Sequence, residues 1–314
     1  MPDARILCVA LALGVSCLLF LTLGAQGDWA FILHFRGIKL ASLLVVGAAI
    51  AMATITFQTV SGNRILTPSV MGIDALFVLF QTLTVFVLGG IGFAAIGPHL
   101  RFGLEMALLM IAASALFATL MGRGREDLHR MVLTGIIMGV LFRSITGLIQ
   151  RMIDPSDFAV VQGASFARFS AVETDLLALV AILCAMTAAL LWRMRHALDV
   201  IALGRDAAVS LGLPYRQTVL AALGLVAILV AGSTALVGPV TFFGLLVSAL
   251  AHGALKDHRH SHLLPMAALV AALVLVGGQL VLDHVFALAT TLSVVVEFAG
   301  GLAFLFLVLK GTAR

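Results

Sequence analysis

Long apolar runs separated by short polar stretches make up nearly the whole chain. The runs cover residues 6–24, 40–58, 75–95, 105–121, 131–149, 175–192, 217–236, 240–251, 263–282 and 290–309. All but the eighth approach the roughly 20 residues that a helix needs to cross a hydrocarbon core about 30 Å thick. The eighth is too short to span unaided and reads as a half-helix packed among its neighbours. The first run could pass for a signal peptide ending near Ala25, but it is longer than the usual apolar core of one and further spans follow it. Ten spans and one domain over 1–314 are therefore expected.

Three polar islands interrupt this pattern. The first, 28–39, holds Asp28, Trp29, His34, Arg36 and Lys39, with Trp29 where an interfacial aromatic would sit. The second, 57–74, contains Gly62, Asn63, Arg64 and Pro68; Pro68 removes a donor and restrains Thr67, so the backbone is expected to be irregular. Irregular backbone at membrane depth persists only where protein buries it or where it lines a watery passage, the plain alternative being a surface loop. The third, 201–217, sets Arg205, Asp206 and Arg216 around Ala207, Ala208, Val209, Leu211 and Leu213. That spacing predicts a short amphipathic helix with one apolar face, ended by Gly212 and Pro214. It reads either as a docking element at the membrane surface or as an ordinary interfacial loop.

Composition agrees with the pattern: 62% of the 314 residues are hydrophobic, 11% are charged, and mean hydropathy is +1.16. The chain is an all-α polytopic membrane protein. Charge placement orients it. Taking the loops in alternation, thirteen of the 19 Lys and Arg fall on the side of Arg5, Arg64, Arg123, Arg125, Arg130, Arg205 and Arg259. Arg36, Lys39, Arg101, Arg151 and Arg168 fall on the other, and Arg143 lies inside the fifth span. The positive side is cytoplasmic, which puts both termini and the 201–217 stretch there.

The chemistry-bearing motifs are few. There is no GxxxxGK[ST] phosphate loop, HExxH, GxSxG or cysteine cluster, so the chain carries no recognisable nucleotide-hydrolysing or catalytic site and no cofactor is expected. Cys8, Cys17 and Cys184 lie in expected spans as small apolar fillers. His252, His258, His260 and His262 within one cytoplasmic loop could bind a metal, although an exposed basic loop explains them more simply. Asp74, Glu105, Asp283 and Glu297 are the acids in or near spans, and all but Glu297 lie close to expected span ends. An ion-coupled carrier usually keeps a carboxylate deep in its bundle. A transporter subunit energised by a partner fits better, because a docking helix has no obvious use in a carrier; a membrane enzyme is a distant third.

Arg143 is the exception to the apolar pattern. Thirteen residues after Arg130, it stands about 20 Å above the cytoplasmic side at 1.5 Å per residue. An arginine at such depth costs about 2.5–3.5 kcal/mol on insertion scales. Either it snorkels outward, or it faces a central passage and steadies an anionic ligand. Gly135, Gly139 and Gly147 share its helical face and leave that face narrow.

Four stretches, RGIKLASLLVVGAAIAMATITFQ (36–58), NRILTPSVMG (63–72), ALGRDAAVSLGLP (202–214) and GPVTFFGLL (238–246), resemble in order and separation the permeases of binding-protein-dependent ABC importers for iron chelates, haem and cobalamin. The NRILTP variant is similar to the ferric-siderophore branch, often serving catecholates. The resemblance implies a type II importer permease of ten spans in the bacterial inner membrane, working with a second, unlike permease subunit, two cytoplasmic ATPases and a periplasmic or lipoprotein-type binding protein. By position it implies ATPase coupling at Arg205, Ala207, Ala208, Leu211, Gly212 and Leu213. A cytoplasmic gate falls at Asn63, Leu66 and Leu128, and binding-protein docking at Arg36 and Lys39. The chain departs from the family pattern at Ser248–His252, where a PHxxR run is usual, at Ser293–Val295, where PxG is usual, and at His284, in place of a further outer basic residue.

Overall fold

The computed structural model describes residues 2–24, 28–119, 128–170, 172–284 and 291–309, and these contain helices without strands. In order they form α1 (Pro2–Thr22), α2 (Trp29–Ser61), a 3-10 turn (Ser69–Met71), α3 (Ile73–Ala95), α4 (Pro98–Thr119), α5 (Leu128–Gln150), α6 (Pro155–Ala164), α7 (Thr174–Arg193), α8 (Arg195–Ile201), α9 (Arg205–Ser210), α10 (Tyr215–Val237), α11 (Phe243–Ala254), α12 (His260–His284) and α13 (Leu292–Leu309). Eight of them, α1 to α5, α7, α10 and α12, are long and apolar enough to cross a membrane. The shorter apolar helices α11 and α13 stand where the eighth and tenth runs were expected.

The axis of the fold is α2, with Leu43, Val46, Ile55 and Phe57 essentially inaccessible between α1, α7, α10 and α12. Small residues set the spacing. A Cβ on Gly47 would stand 3.2 Å from Leu275 of α12, and one on Gly244 of α11 would collide with the Thr54 hydroxyl. The expected polar island at 28–39 is not separate from the second span: α2 runs 33 residues, about 50 Å at 1.5 Å per residue. Asp28 caps it by accepting from the Ala30 N–H at 2.9 Å, and no proline or left-handed residue follows until Gly62. The polar heads that suggested a loop are satisfied by neighbours, as described below.

Two further helices were not anticipated. The outer connection after α5 folds as α6, with Pro155 in its first turn, and α8 fills the expected loop after α7. The first has a local reason: α3 breaks at Gly89 (φ 72°, ψ 167°), and the freed N–H of Gly90 donates to Asp157 of α6 at 3.0 Å.

The 57–74 island is irregular, as the sequence implies. Gly62 closes α2 in the left-handed region (φ 60°), and Asn63 accepts from the Ile65 N–H at 2.9 Å. The chain then climbs beside α5, where a Cβ on Gly72 (φ 91°) would lie 2.8 Å from the Gly139 Cα and one on Gly135 would lie 2.9 Å from Met71. Gly139 is eleven residues into α5, about 16 Å along it. This irregular backbone therefore sits at membrane depth, and Asp74, expected near a span end, sits there with it.

Side-chain contacts sort the segments into two ends. Arg5 donates to the Ala254 carbonyl at 2.6 Å, and His262 is 3.8 Å from Asp3, so the start of α1, the end of α11 and the start of α12 share one end. The other end holds the start of α2 and the end of α12, joined by Lys39 and Asp283 at 3.8 Å. Arg123 and Arg125 lie outside the described residues.

Candidate functional site

A cavity of about 820 Å³ opens where the 57–74 stretch and the 239–242 segment, between α10 and α11, meet α5 and α13. One wall is the 3-10 turn with the start of α3, carrying Leu66, Ser69 and Asp74; another is the 239–242 segment leading into α11, carrying Thr241. From α5 come Ile136, Arg143, Thr146, Gly147 and Gln150, which recur at helical spacing on one face, and α13 contributes Glu297. A Cβ on Gly300 would meet Phe242 at 2.7 Å, so α13 is held tightly against the 239–242 segment.

Arg143, one turn above the Gly139–Gly72 contact, lines this cavity. Its Nη1 would be 3.6 Å from a Cβ on Gly139, so the guanidinium leans back along α5 towards the Gly72 turn, the direction helical side chains favour. Gly135 and Gly139 serve close packing, whereas Gly147 borders open space. Asp74 is 6% exposed and neither of its oxygens has a hydrogen-bond partner; the hydroxyls of Ser69 and Thr241 stand beside it without reaching hydrogen-bond geometry. Glu297 is half-buried.

Of the three expected gate residues, Leu66 borders the cavity and Asn63 shapes the exposed turn below it. Residue 128 begins α5, but the Leu128 side chain lies outside the described residues.

The 201–217 stretch forms the expected short helix, α9, between Gly204 (φ 96°) and Gly212 (φ 80°). Its apolar residues do not make one face, however. Ala208 is fully buried, Ala207 and Leu213 are half-buried, and Leu203, Val209 and Leu211 are 65%, 55% and 65% exposed. A six-residue helix between glycine turns presents both directions: Ala208 anchors it inward while the larger side chains project outward. Gly212 has open space around it, and Arg205 stands exposed at the first turn.

This unit is tied to the fold through a buried histidine. Asp199 of α8 accepts from the His260 backbone N–H at 2.8 Å and from its Nδ1–H at 2.6 Å. The other ring nitrogen, Nε2, meets Thr59 Oγ1 at 2.7 Å in the last turn of α2, next to the Asn63 turn. The expectation of an exposed basic loop is thus corrected at His260, which is only 2% exposed. Among the described residues, no group of three or more His, Cys, Asp or Glu is placed to hold a metal ion. In the same region Ser248 donates to Gln58, whose amide donates to the Arg64 carbonyl at 2.5 Å. Ser248, one of the departures from the family pattern, therefore braces the end of α2, while His252 Nδ1 meets the Ser248 carbonyl of its own helix at 2.8 Å.

At the opposite end, Arg36 donates to the carbonyls of Phe20 (2.9 Å) and Leu23 (2.8 Å), closing α1, and Lys39 pairs with Asp283. Both cations are part-buried and engaged within the chain. Nearby, Glu105 is buried, accepting from Gln81 at 2.5 Å with Arg101 3.6 Å away. Sequence spacing could not reveal that Asp74 and Glu297 share a cavity with Arg143, since the first turn of α3 and α13 bring them there from distant parts of the chain.

The model of the FecCD transport family matches residues 6–310. The chain belongs to the FecCD transport family. It is 40% identical over 305 residues to the petrobactin import system permease protein YclO of Bacillus subtilis, covering 96% of each chain. It is 31% identical over 281 residues to the petrobactin import system permease protein FatC of Bacillus anthracis, covering 88% of this chain and 78% of that one. The fold matches a solved metal-chelate type ABC transporter in an inward-facing conformation with a TM-score of 0.83, at 20% identity, over 99% of this chain and 100% of that one. The all-helical, multi-pass architecture and the membership of an importer permease family agree with the resemblance carried by the four sequence stretches.

Proposed function

We propose that this protein is the permease subunit of an ATP-driven importer for a ferric siderophore of catecholate type, moving it inward across the bacterial cytoplasmic membrane. The observation that carries this reading is the cavity at membrane depth, walled by irregular backbone and bearing Arg143. Irregular backbone is tolerated there where it lines a passage. A guanidinium on such a wall would steady an anionic chelate without the full enclosure that would prevent release. The similarity to petrobactin import permeases supports an iron-chelate cargo over haem or cobalamin.

The chain would pair with a second, unlike permease to close the open side of the cavity. One of the two partner ATPases would seat on α9, with Leu203, Val209 and Leu211 offering an exposed apolar knob and Arg205 a charge beside it, and the other on the second permease. Energy would pass inward through Asp199, His260 and Thr59 to the end of α2 and the gate at Asn63, Leu66 and Leu128. A substrate-binding protein would dock at the opposite end, near Arg36 and Lys39. Their internal contacts make them shapers of that surface as well as charges on it.

Reconstitution with the partner permease, ATPases and binding protein tests the reading. Uptake of a radioiron-loaded catecholate should require ATP, vanish when the phosphate-loop lysine of the partner ATPase is replaced, and survive a protonophore. Uptake that persists without the ATPase and collapses with the protonophore would instead favour an ion-coupled carrier.

A further inference from the structure

Arg143 suits an anionic ligand, yet it shares its cavity with two carboxylates. The charged side chains lining the cavity are Arg143, Asp74 and Glu297, and among the described residues neither acid forms an ion pair with the arginine. Asp74 is the sharper anomaly. It is 6% exposed, both oxygens lack hydrogen-bond partners, and it borders the open volume. An unpaired buried carboxylate is costly, and native proteins keep few of them. A cargo carrying negative charge alone would leave Asp74 with only the neighbouring hydroxyls of Ser69 and Thr241, whereas one that also carries a cationic donor would give it a charged partner.

We propose that Asp74 and Glu297 form a cationic subsite of the passage, receiving a protonated amine on the ferric chelate while Arg143 faces its anionic groups. This rests on the reading of the cavity as a chelate passage and makes a chelate bearing charge of both signs the preferred cargo. Asp74 enters from the first turn of α3 and Glu297 from α13, so the amine bridges two walls of the cavity. The other use for Asp74 is structural: a protonated carboxyl that turns to a neighbouring hydroxyl, Ser69 or Thr241, and never meets cargo.

Two probes separate these uses in the complete reconstituted transporter with saturating binding protein. One is a ferric catecholate built on a polyamine backbone with free secondary amines; the other is the same chelate with those amines acetylated. Asp74→Asn should lower initial uptake of the amine probe about tenfold or more, the least expected for losing a desolvated charge pair, and leave the acetylated probe within about twofold of wild type. Asp74→Glu should retain uptake of the amine probe. Glu297→Gln, at a half-buried position, should give the same selective loss and decides the matter if Asp74→Asn fails to fold. Equal losses for both probes, or no loss in either variant, would overturn the subsite. Wild-type protein that carries neither probe would overturn the chelate reading itself. Wild-type uptake of the acetylated probe together with indifference to Asp74→Asn would overturn only the amine subsite.

Discussion

His260 Nδ1 lies 2.6 Å from Asp199 Oδ1, across 61 positions of sequence, and the same imidazole meets Thr59 at 2.7 Å. This ring links the α8–α9 unit to the C-terminal end of α2, beside the direct packing of α8 on the same helix. Both contacts are short and part-buried, so movement of α8 strains them unless Thr59 follows.

Replacing His260 by Ala should therefore uncouple the transporter. Losing a buried hydrogen-bonded partner costs about 1–3 kcal/mol, so uptake should fall about tenfold while ATP hydrolysis by the assembled complex stays within about twofold. Parallel measurement of chelate uptake and phosphate release checks this. Equal falls in both rates, with assembly intact, would assign His260 to ATPase activation in place of transmission.

On α9 the exposed apolar knob makes a separate prediction. Leu211→Asp should weaken association with the ATPase by about 2 kcal/mol, the scale of an interface hot spot, without lowering permease stability. Gly212→Ala should act in the opposite manner. Nothing lies near its missing Cβ, but φ of 80° penalises any side chain by about 1 kcal/mol, so folding stability drops while association holds. Pull-down with the ATPase and thermal melting of the purified permease read the two effects independently.

Gly139→Val should be severe for a local reason. A Cβ there stands 3.0 Å from the Gly72 Cα, a backbone atom that no rotamer change can move, and relief requires the 3-10 turn to move away from α5. Overpacking of this kind costs about 1–3 kcal/mol, and here it should also displace Asp74 and reduce uptake more than expression. Gly147→Ala, with nothing close to its Cβ, is the matched control and should be tolerated.

Arg36 and Lys39 should differ from each other. Arg36→Gln removes the donor to carbonyls at the end of α1, so melting should fall in low and high salt alike, by about 1–3 kcal/mol of stability. Lys39→Gln loses a 3.8 Å pair with Asp283, which salt screens more readily. If Arg36 also steers the binding protein, its charge reversal should slow docking most at low ionic strength, measured as the salt slope of the association rate.

The membrane class, the irregular 57–74 stretch, the short helix at 205–210 and the oddity of Arg143 were legible in the sequence. Each is a break in an otherwise apolar pattern, and such breaks carry a local physical cost that composition cannot hide. The continuous α2 was not legible, because Arg36 and Lys39 look like loop residues until the α1 carbonyls and Asp283 are placed beside them. Nor was α6, whose position is tied to a kink at Gly89 more than sixty residues earlier. The single apolar face expected on α9 failed because six residues between two glycine turns complete too little helix for periodicity to decide which side is buried. At the cavity, Asp74 does stand at the start of a candidate span, but nothing in the sequence said that the turn before it packs beside Gly139. His260 was hidden among histidines, and only the fold separates it from its neighbours by burial and by Asp199.

If the Arg143 cavity is the route of an anionic chelate, initial uptake of a radioiron-loaded catecholate by Arg143→Gln in the reconstituted transporter, with expression, assembly and ATP hydrolysis matched to wild type, reports it directly. Loss of a charge-assisted contact worth about 1.5–3 kcal/mol should reduce uptake by about tenfold or more. Wild-type uptake by Arg143→Gln would contradict it, leaving the arginine only as a cation that borders the cavity without serving the cargo.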